Sequence, residues 1–123
     1  MSEVNLRYSD EDLEEFRILI ENKMDKARKE LEFYQEQIRS ESDDNKFHGL
    51  EDGSYTTERE SLNQLASRQI KFMQHLEKAL MRIENKTYGI CRETGKLIAK
   101  ARLKAVPHAT LSIEAKLAEK KND

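Results

Sequence analysis

The chain has 123 residues, of which 37% are charged and 37% hydrophobic, and it contains four glycines, one proline, one cysteine and no tryptophan. This composition favours long solvated helices over a compact sheet protein, and a single cysteine excludes an internal disulfide framework. The amino-terminal residues lack the basic and apolar regions of a signal peptide, and no stretch approaches the ~18 apolar residues of a membrane span. We therefore expect a soluble, cytoplasmic protein.

Charge is divided unevenly along the chain. Residues 1–87 carry 14 basic and 20 acidic side chains, whereas residues 88–123 carry 8 basic and 4 acidic ones. A modestly basic part attached to an acidic stalk favours an oriented protein partner, because charge then assists the encounter. The basic footprint is weaker than that of most DNA-binding proteins, so we do not expect sequence-specific DNA binding.

A long amphipathic helix is the first predicted element, over about residues 10–40. Ser9 precedes three acidic residues, a pattern typical of a helix start in which Ser9 is the cap. Apolar residues then recur at heptad spacing, which predicts a coiled-coil seam. The seam consists of Leu13, Ile20, Ala27 and Tyr34 in one series and Met24, Leu31 and Ile38 in the other.

A second amphipathic helix is predicted over about residues 57–86, with a capping-box pattern at Thr57 and Glu60. Its seam consists of Leu62, Gln69, Leu76 and Ile83 in one series and Ala66, Met73 and Leu80 in the other. A polar loop over about residues 41–56 separates the helices, so residues 1–87 are expected to form an antiparallel coiled-coil hairpin. A parallel dimer of separate helices is the alternative.

The remaining residues, 88–123, form a small head in this prediction. Two short extended pieces flank a turn at residues 93–95, and residues 111–121 have the composition of a short terminal helix. The head is too small to be stable alone, so it should pack against the base of the coiled-coil hairpin. The apolar residues available for this packing are Ile90, Leu97, Ile98, Leu103, Val106, Leu111 and Ile113.

The head has the layout of a four-cysteine zinc module but only one cysteine. The four ligand positions would be Cys91, Thr94, Ser112 and Ala115. Thiolates hold zinc in such closed sites, whereas a neutral hydroxyl is a poor ligand and a methyl group is none. We therefore expect a degenerate zinc finger that has lost its metal and folds by packing, with no other cofactor.

Several motifs in the second half of the chain occur in a fixed order. An amphipathic helix is followed by Tyr-Gly-x-Cys at 88–91, Gly-x-x-Ile at 95–98, Arg-Leu-x-Ala-x-Pro at 102–107 and a terminal helix. This order resembles the DksA/TraR family of bacterial RNA-polymerase-binding regulators over about residues 60–118. The resemblance implies a mainly α fold, with a long antiparallel coiled-coil finger, a small zinc-ribbon-like head and a short C-terminal helix.

The same resemblance implies a transcription regulator that inserts its coiled-coil tip into the secondary channel of RNA polymerase and modulates initiation. A coiled-coil interaction adaptor without polymerase activity is the alternative, and a small redox or metal sensor using Cys91 is a third. No group of residues supplies a nucleophile together with a base, so we do not expect an enzyme.

Counting back from Cys91 aligns the tip positions of the long-armed family members with His48, Glu51 and Gly53. Glu51 and Gly53 keep the acidic and the small residue of the family pattern, whereas His48 departs from it. Asp52 supplies a second carboxylate, so Glu51, Asp52 and Gly53 are the predicted polymerase-tip residues. The alternative is that this charge cluster only keeps a loop soluble.

The resemblance also suggests positions for the alarmone ppGpp, which some family members bind together with polymerase. These positions align with His75, Val106 and Lys116, of which only Lys116 is permanently basic, so a ppGpp response is doubtful. Basic residues of the head are a further candidate interaction surface. They are Lys96, Lys100, Arg102, Lys104 and Lys116.

Overall fold

The computed structural model describes residues 6–48 and 53–121, and four helices account for most of them. Helix α1 spans Asp10–His48, α2 spans Gly53–Glu84, α3 spans Lys100–Ala105 and α4 spans Ile113–Lys121. The fold is therefore mainly α, as predicted. Among the described residues, no helix is both long and apolar enough to cross a lipid bilayer.

Both long helices extend further towards the tip than the hydrophobic pattern indicates. Helix α1 continues past residue 40 to His48, since residues 41–48 are polar apart from Phe47 but contain neither glycine nor proline to break the helix. Helix α2 begins at Gly53, so Thr57 lies inside the helix and not at its start. At the other end of α1 the predicted cap is present, because the Asp12 amide donates to Ser9 Oγ at 3.1 Å.

The chain divides into two compact units, and the second, Lys23–Gln74, contains the later part of α1 and the earlier part of α2. Its core is a narrow seam in which Met24, Ala27 and Ala66 are buried. Gln69 Nε2 donates to the Ala27 carbonyl at 3.0 Å and contacts Glu30 Oε2 at 3.1 Å. A polar residue that reaches the opposite backbone in this way favours one register of the seam.

The first unit contains the described residues up to Asn22 and those from His75 onward. Here the start of α1 lies beside the end of α2, and Lys86 Nζ contacts Asp10 Oδ1 at 3.0 Å. Asp10 at the start of α1 contacts Lys86 just after α2, whereas Ala27 further along α1 contacts Gln69 earlier in α2, so the two helices are antiparallel.

Most of the buried side chains belong to this first unit, where α1, α2 and the head share one core. Three aromatic rings contact one another in this core. The centroids of the Tyr8 and Phe16 rings lie 5.5 Å apart, and those of the Phe16 and Tyr88 rings lie 5.2 Å apart. The largest fully buried side chains are Leu13, Ile20, Leu76, Tyr88, Cys91, Ile98 and Leu103. Burial of such side chains is the main stabilising contribution expected for a small head.

One expectation about the core needs correction, and one buried residue was not predicted. Ile113 was expected to pack in the head, but it is 51% exposed on α4, where Ala115 is the buried residue. Tyr8 belongs to neither predicted seam, yet only 7% of it is exposed.

Candidate functional site

The end of α2 determines where the head begins. The Thr87 amide donates to the Arg82 carbonyl at 2.8 Å and the Lys86 amide donates to the Ile83 carbonyl at 3.0 Å. With Lys86 at a φ of 66°, this is a Schellman motif, which ends the helix and redirects the chain. Cys91 follows five residues later and is buried.

A tight turn carries the first two of the four zinc-module positions, Cys91 and Thr94. Ile90 and Leu97 form an antiparallel bridge across it, and the Cys91 amide donates to the Lys96 carbonyl at 2.8 Å. The Thr94 hydroxyl accepts the Lys96 amide at 3.2 Å. Thr94 therefore stabilises the turn by hydrogen bonding at a position where a zinc module would carry a thiolate.

The other two positions, Ser112 and Ala115, lie at the start of α4. Ser112 Oγ accepts the Ala115 amide at 3.2 Å, which is the N-cap hydrogen bond of this helix. The Ser112 amide in turn points at Cys91 Sγ at 3.4 Å, and the two side chains approach to 3.7 Å. The fold thus brings the four positions together. The contacts that join them include the N-cap hydrogen bond between Ser112 and Ala115 and the contact between the Cys91 thiol and Ser112.

The surroundings of Cys91 change the acidity of its thiol. Burial raises the pKa, but hydrogen bonds from the Thr94 hydroxyl and from the backbone amides of Ser112, Thr94 and Glu93 outweigh burial and lower the pKa to about 6. Backbone amides that point at one sulfur are an arrangement suited to a thiolate.

Tyr8, which the sequence analysis did not identify, packs against the head beside Gly89 and Ile98. Its hydroxyl donates a buried hydrogen bond to the Ile98 carbonyl, and its ring lies directly over Gly89. The signal that could have identified it is its place just before the cap Ser9, where an apolar residue often packs back on the first turns of the helix.

The predicted basic cluster of the head is divided between structural contacts and exposed charges. Lys100 Nζ contacts Asp12 Oδ1 at 3.0 Å, and Arg102 Nε donates to the Leu111 carbonyl at 2.8 Å. Lys96 and Lys104 are exposed. Lys116 lines a cavity of about 190 Å³.

The three alarmone-aligned positions lie in the first unit. Val106 lines the same cavity as Lys116, and His75 stacks on His108, which also lines it. Of the predicted tip residues, Gly53 is the first residue of α2, while Glu51 and Asp52 lie outside the described residues.

Comparisons with known proteins place this head in a family. Residues 86–119 match the family model of the prokaryotic dksA/traR C4-type zinc finger. The structure resembles that of transcription factor DksA2 from Pseudomonas aeruginosa, with a TM-score of 0.78 and 28% identity over 89% of this chain and 84% of that one. The chain belongs to the DksA/TraR family.

Two curated relatives agree with this assignment. A Caulobacter vibrioides protein named RNA polymerase-binding transcription factor DksA is 50% identical over 48 residues, which are 39% of this chain. General stress protein 16O of Bacillus subtilis is 30% identical over 88 residues, which are 72% of this chain. The aligned parts span only 34% and 54% of the lengths of these relatives.

The zinc named in the family model does not fit the residues of this chain. One thiolate, two hydroxyls and a methyl group stand at the four positions, and both hydroxyls already accept backbone amides. Within residues 6–48 and 53–121, no group of three or more histidine, cysteine or acidic side chains is arranged to hold a metal ion.

Proposed function

We propose that this protein is a bacterial transcription regulator that binds RNA polymerase and modulates initiation by inserting its coiled-coil tip into the secondary channel. The observation that carries the proposal is the extent of the structural match, which at 89% of the chain includes the long helices as well as the head. The Caulobacter relative is named for polymerase binding, and both it and the Pseudomonas protein are named transcription factors. A cytoplasmic, non-enzymatic protein follows from this role.

In this proposal the acidic pair Glu51 and Asp52 acts at the tip, with Gly53 beside it. Two adjacent carboxylates can contact basic groups of the polymerase or the magnesium ion of its active centre, since Mg²⁺ prefers hard oxygen ligands. The exposed lysines of the head, Lys96 and Lys104, would contribute long-range attraction to the complex.

We further propose that the head works without zinc. The Ser112 N-cap and the Thr94 turn already satisfy the backbone amides around the former metal positions, and a common core with α1 and α2 supplies the packing. A chelator should therefore leave the fold and the polymerase affinity unchanged, in contrast to a protein whose fold depends on a structural zinc.

The tip assignment is tested with the double variant Glu51→Gln and Asp52→Asn, which removes two charges at nearly constant shape. Binding to core polymerase is measured by fluorescence anisotropy, and promoter output by in vitro transcription. We expect promoter output to lose its response to the protein, while binding weakens less, because the rest of the chain supplies contacts of its own.

Glu32→Gln combined with Glu60→Gln is the matched control, since it removes two exposed helical carboxylates elsewhere. This control should behave as the wild type. If the tip variant binds polymerase and alters transcription as the wild type does, the tip assignment is wrong. If the wild type fails to bind polymerase at all, the polymerase proposal itself fails.

A further inference from the structure

We propose that an amino-terminal clamp, formed by Tyr8, Asp10 and Asp12, takes over the stabilising role that zinc has in a four-cysteine head. The inference rests on the zinc-free head proposed above and does not depend on polymerase binding. It concerns the turn that carries Cys91 and Thr94, because a structural metal would hold this turn and the start of α4 together.

Without a metal, two kinds of contact join this turn to the residues around the start of α4. The Arg92 amide donates to the Thr110 carbonyl at 2.9 Å, and the Ser112 amide points at Cys91 Sγ at 3.4 Å. A zinc ion bound by four thiolates contributes enough free energy to fold a small domain outright, which these contacts do not match. The turn therefore needs a further attachment, and the structure shows one at the start of α1.

Tyr8 is the buried anchor of the clamp. Only 7% of it is exposed, and its hydroxyl donates to the carbonyl of Ile98, which is 90 residues away in sequence. Its ring lies over Gly89, where a Cβ would be 2.6 Å from a ring carbon. The Ile98 amide donates to the Gly89 carbonyl at 2.7 Å. The two residues that Tyr8 contacts are thus the two that close the base of the turn.

Two ion pairs lie on either side of the turn in sequence. Lys86 Nζ, just after α2, contacts Asp10 Oδ1 at 3.0 Å, and Lys100 Nζ, at the start of α3, contacts Asp12 Oδ1 at 3.0 Å. Ion pairs with exposed side chains contribute little to stability, because water and salt screen them. We infer that the ion pairs orient the clamp and that Tyr8 supplies most of the attachment.

The test is amide hydrogen exchange of the full chain by NMR, with the Cys91 and Ile98 amides as reporters. Both amides close the turn, since the Cys91 amide donates to the Lys96 carbonyl at 2.8 Å and the Ile98 amide donates across its base. Tyr8→Phe removes the hydroxyl but keeps the ring, so the variant should fold. Loss of one buried hydrogen bond should lower the protection of both reporters about two- to tenfold, while amides of the second unit keep theirs.

Tyr34→Phe is the matched control, since it removes a tyrosine hydroxyl from the second unit. This control should leave the protection of the Cys91 and Ile98 amides unchanged. The clamp is wrong if Tyr8→Phe also leaves both reporters unchanged, or if it lowers protection in the two units alike.

A restored metal site tests whether the clamp does what zinc would do. Thr94→Cys, Ser112→Cys and Ala115→Cys, together with the native Cys91, place four thiols at the four positions. In the wild-type background, Tyr8→Ala should lower the protection of the reporter amides about a hundredfold or more, because a large buried side chain is lost. In the zinc-loaded four-cysteine variant the same substitution should have a far smaller effect, because zinc then holds the turn.

Equal losses of protection in the two backgrounds would overturn the proposal, since the clamp and zinc would then act independently. A wild-type sample that itself needs zinc to fold would instead overturn the zinc-free head on which the inference rests. The zinc content of each sample, measured by mass spectrometry, distinguishes these two failures.

Discussion

The packing of the Tyr8 ring over Gly89 allows a specific test of how much this contact stabilises the head. A Cβ added at Gly89 would lie 2.6 Å and 2.7 Å from two ring carbons of Tyr8 and 3.2 Å from Leu103 Cδ1. The ring cannot move away easily, because it is buried and its hydroxyl is bound to the Ile98 carbonyl. Gly89 also has a φ of 80°, which an alanine adopts only with strain.

Gly89→Ala should therefore lower the free energy of unfolding by two separate effects. The left-handed backbone costs about 1–2 kcal/mol, and the steric overlap in a well-packed region costs about 1–3 kcal/mol more. The expected loss is the sum, about 2–5 kcal/mol, measured by urea unfolding followed by circular dichroism.

Gly95→Ala is the matched control for this prediction. Gly95 has a φ of 73°, but a Cβ there would meet nothing within 4 Å, so only the backbone cost of about 1–2 kcal/mol should remain. In a double-mutant cycle, Tyr8→Ala should reduce the cost of Gly89→Ala towards that of Gly95→Ala. The reasoning is refuted if the two glycine variants are equally stable, since the contact with Tyr8 would then contribute nothing.

Two further predictions concern single polar contacts. The thiol of Cys91 has a pKa of about 6 in the fold, below its ordinary value of 9.0, so the unfolded chain binds more protons between these values and the free energy of unfolding should rise with pH there. Cys91→Ser should show a flatter rise when urea unfolding is compared between about pH 6 and pH 9, and equal slopes would contradict the thiolate assignment. Gln69→Ala removes the bond to the Ala27 carbonyl and should cost about 0.5–1.5 kcal/mol in thermal unfolding. Gln74→Ala, at an exposed position, should cost clearly less, and the opposite order would contradict a specific role for Gln69.

Hydrophobic periodicity predicts the parts of the fold that depend on local sequence. Leu13 and Ile20 in α1 and Leu76 and Ile83 in α2 are buried as the heptad pattern indicates, because a repeated apolar stripe on a helix has one face to bury. The hydrophobic pattern does not predict where α1 ends and α2 begins. Residues 41–48 are polar apart from Phe47 and contain no glycine or proline, which allows the helix to continue beyond the apolar stripe.

The head is less predictable, because its contacts join residues far apart in sequence. The motif order identifies Cys91, Thr94 and Ser112 as neighbours, but the N-cap that replaces a metal ligand at Ser112 becomes clear only from the structure. This cap sets the rotation of α4, so Ala115 faces inward and Ile113 outward. The stacking of His75 on His108 leaves no local sequence signal at all.

The most direct test of the account is the binding of purified, chelator-treated protein to core RNA polymerase, with the zinc content of the same sample measured by mass spectrometry. The account predicts a saturable complex and far less than one zinc ion per chain. A sample that needs stoichiometric zinc to fold or to bind would contradict the metal-free head, and a folded, zinc-free sample that does not bind polymerase would contradict the proposed function.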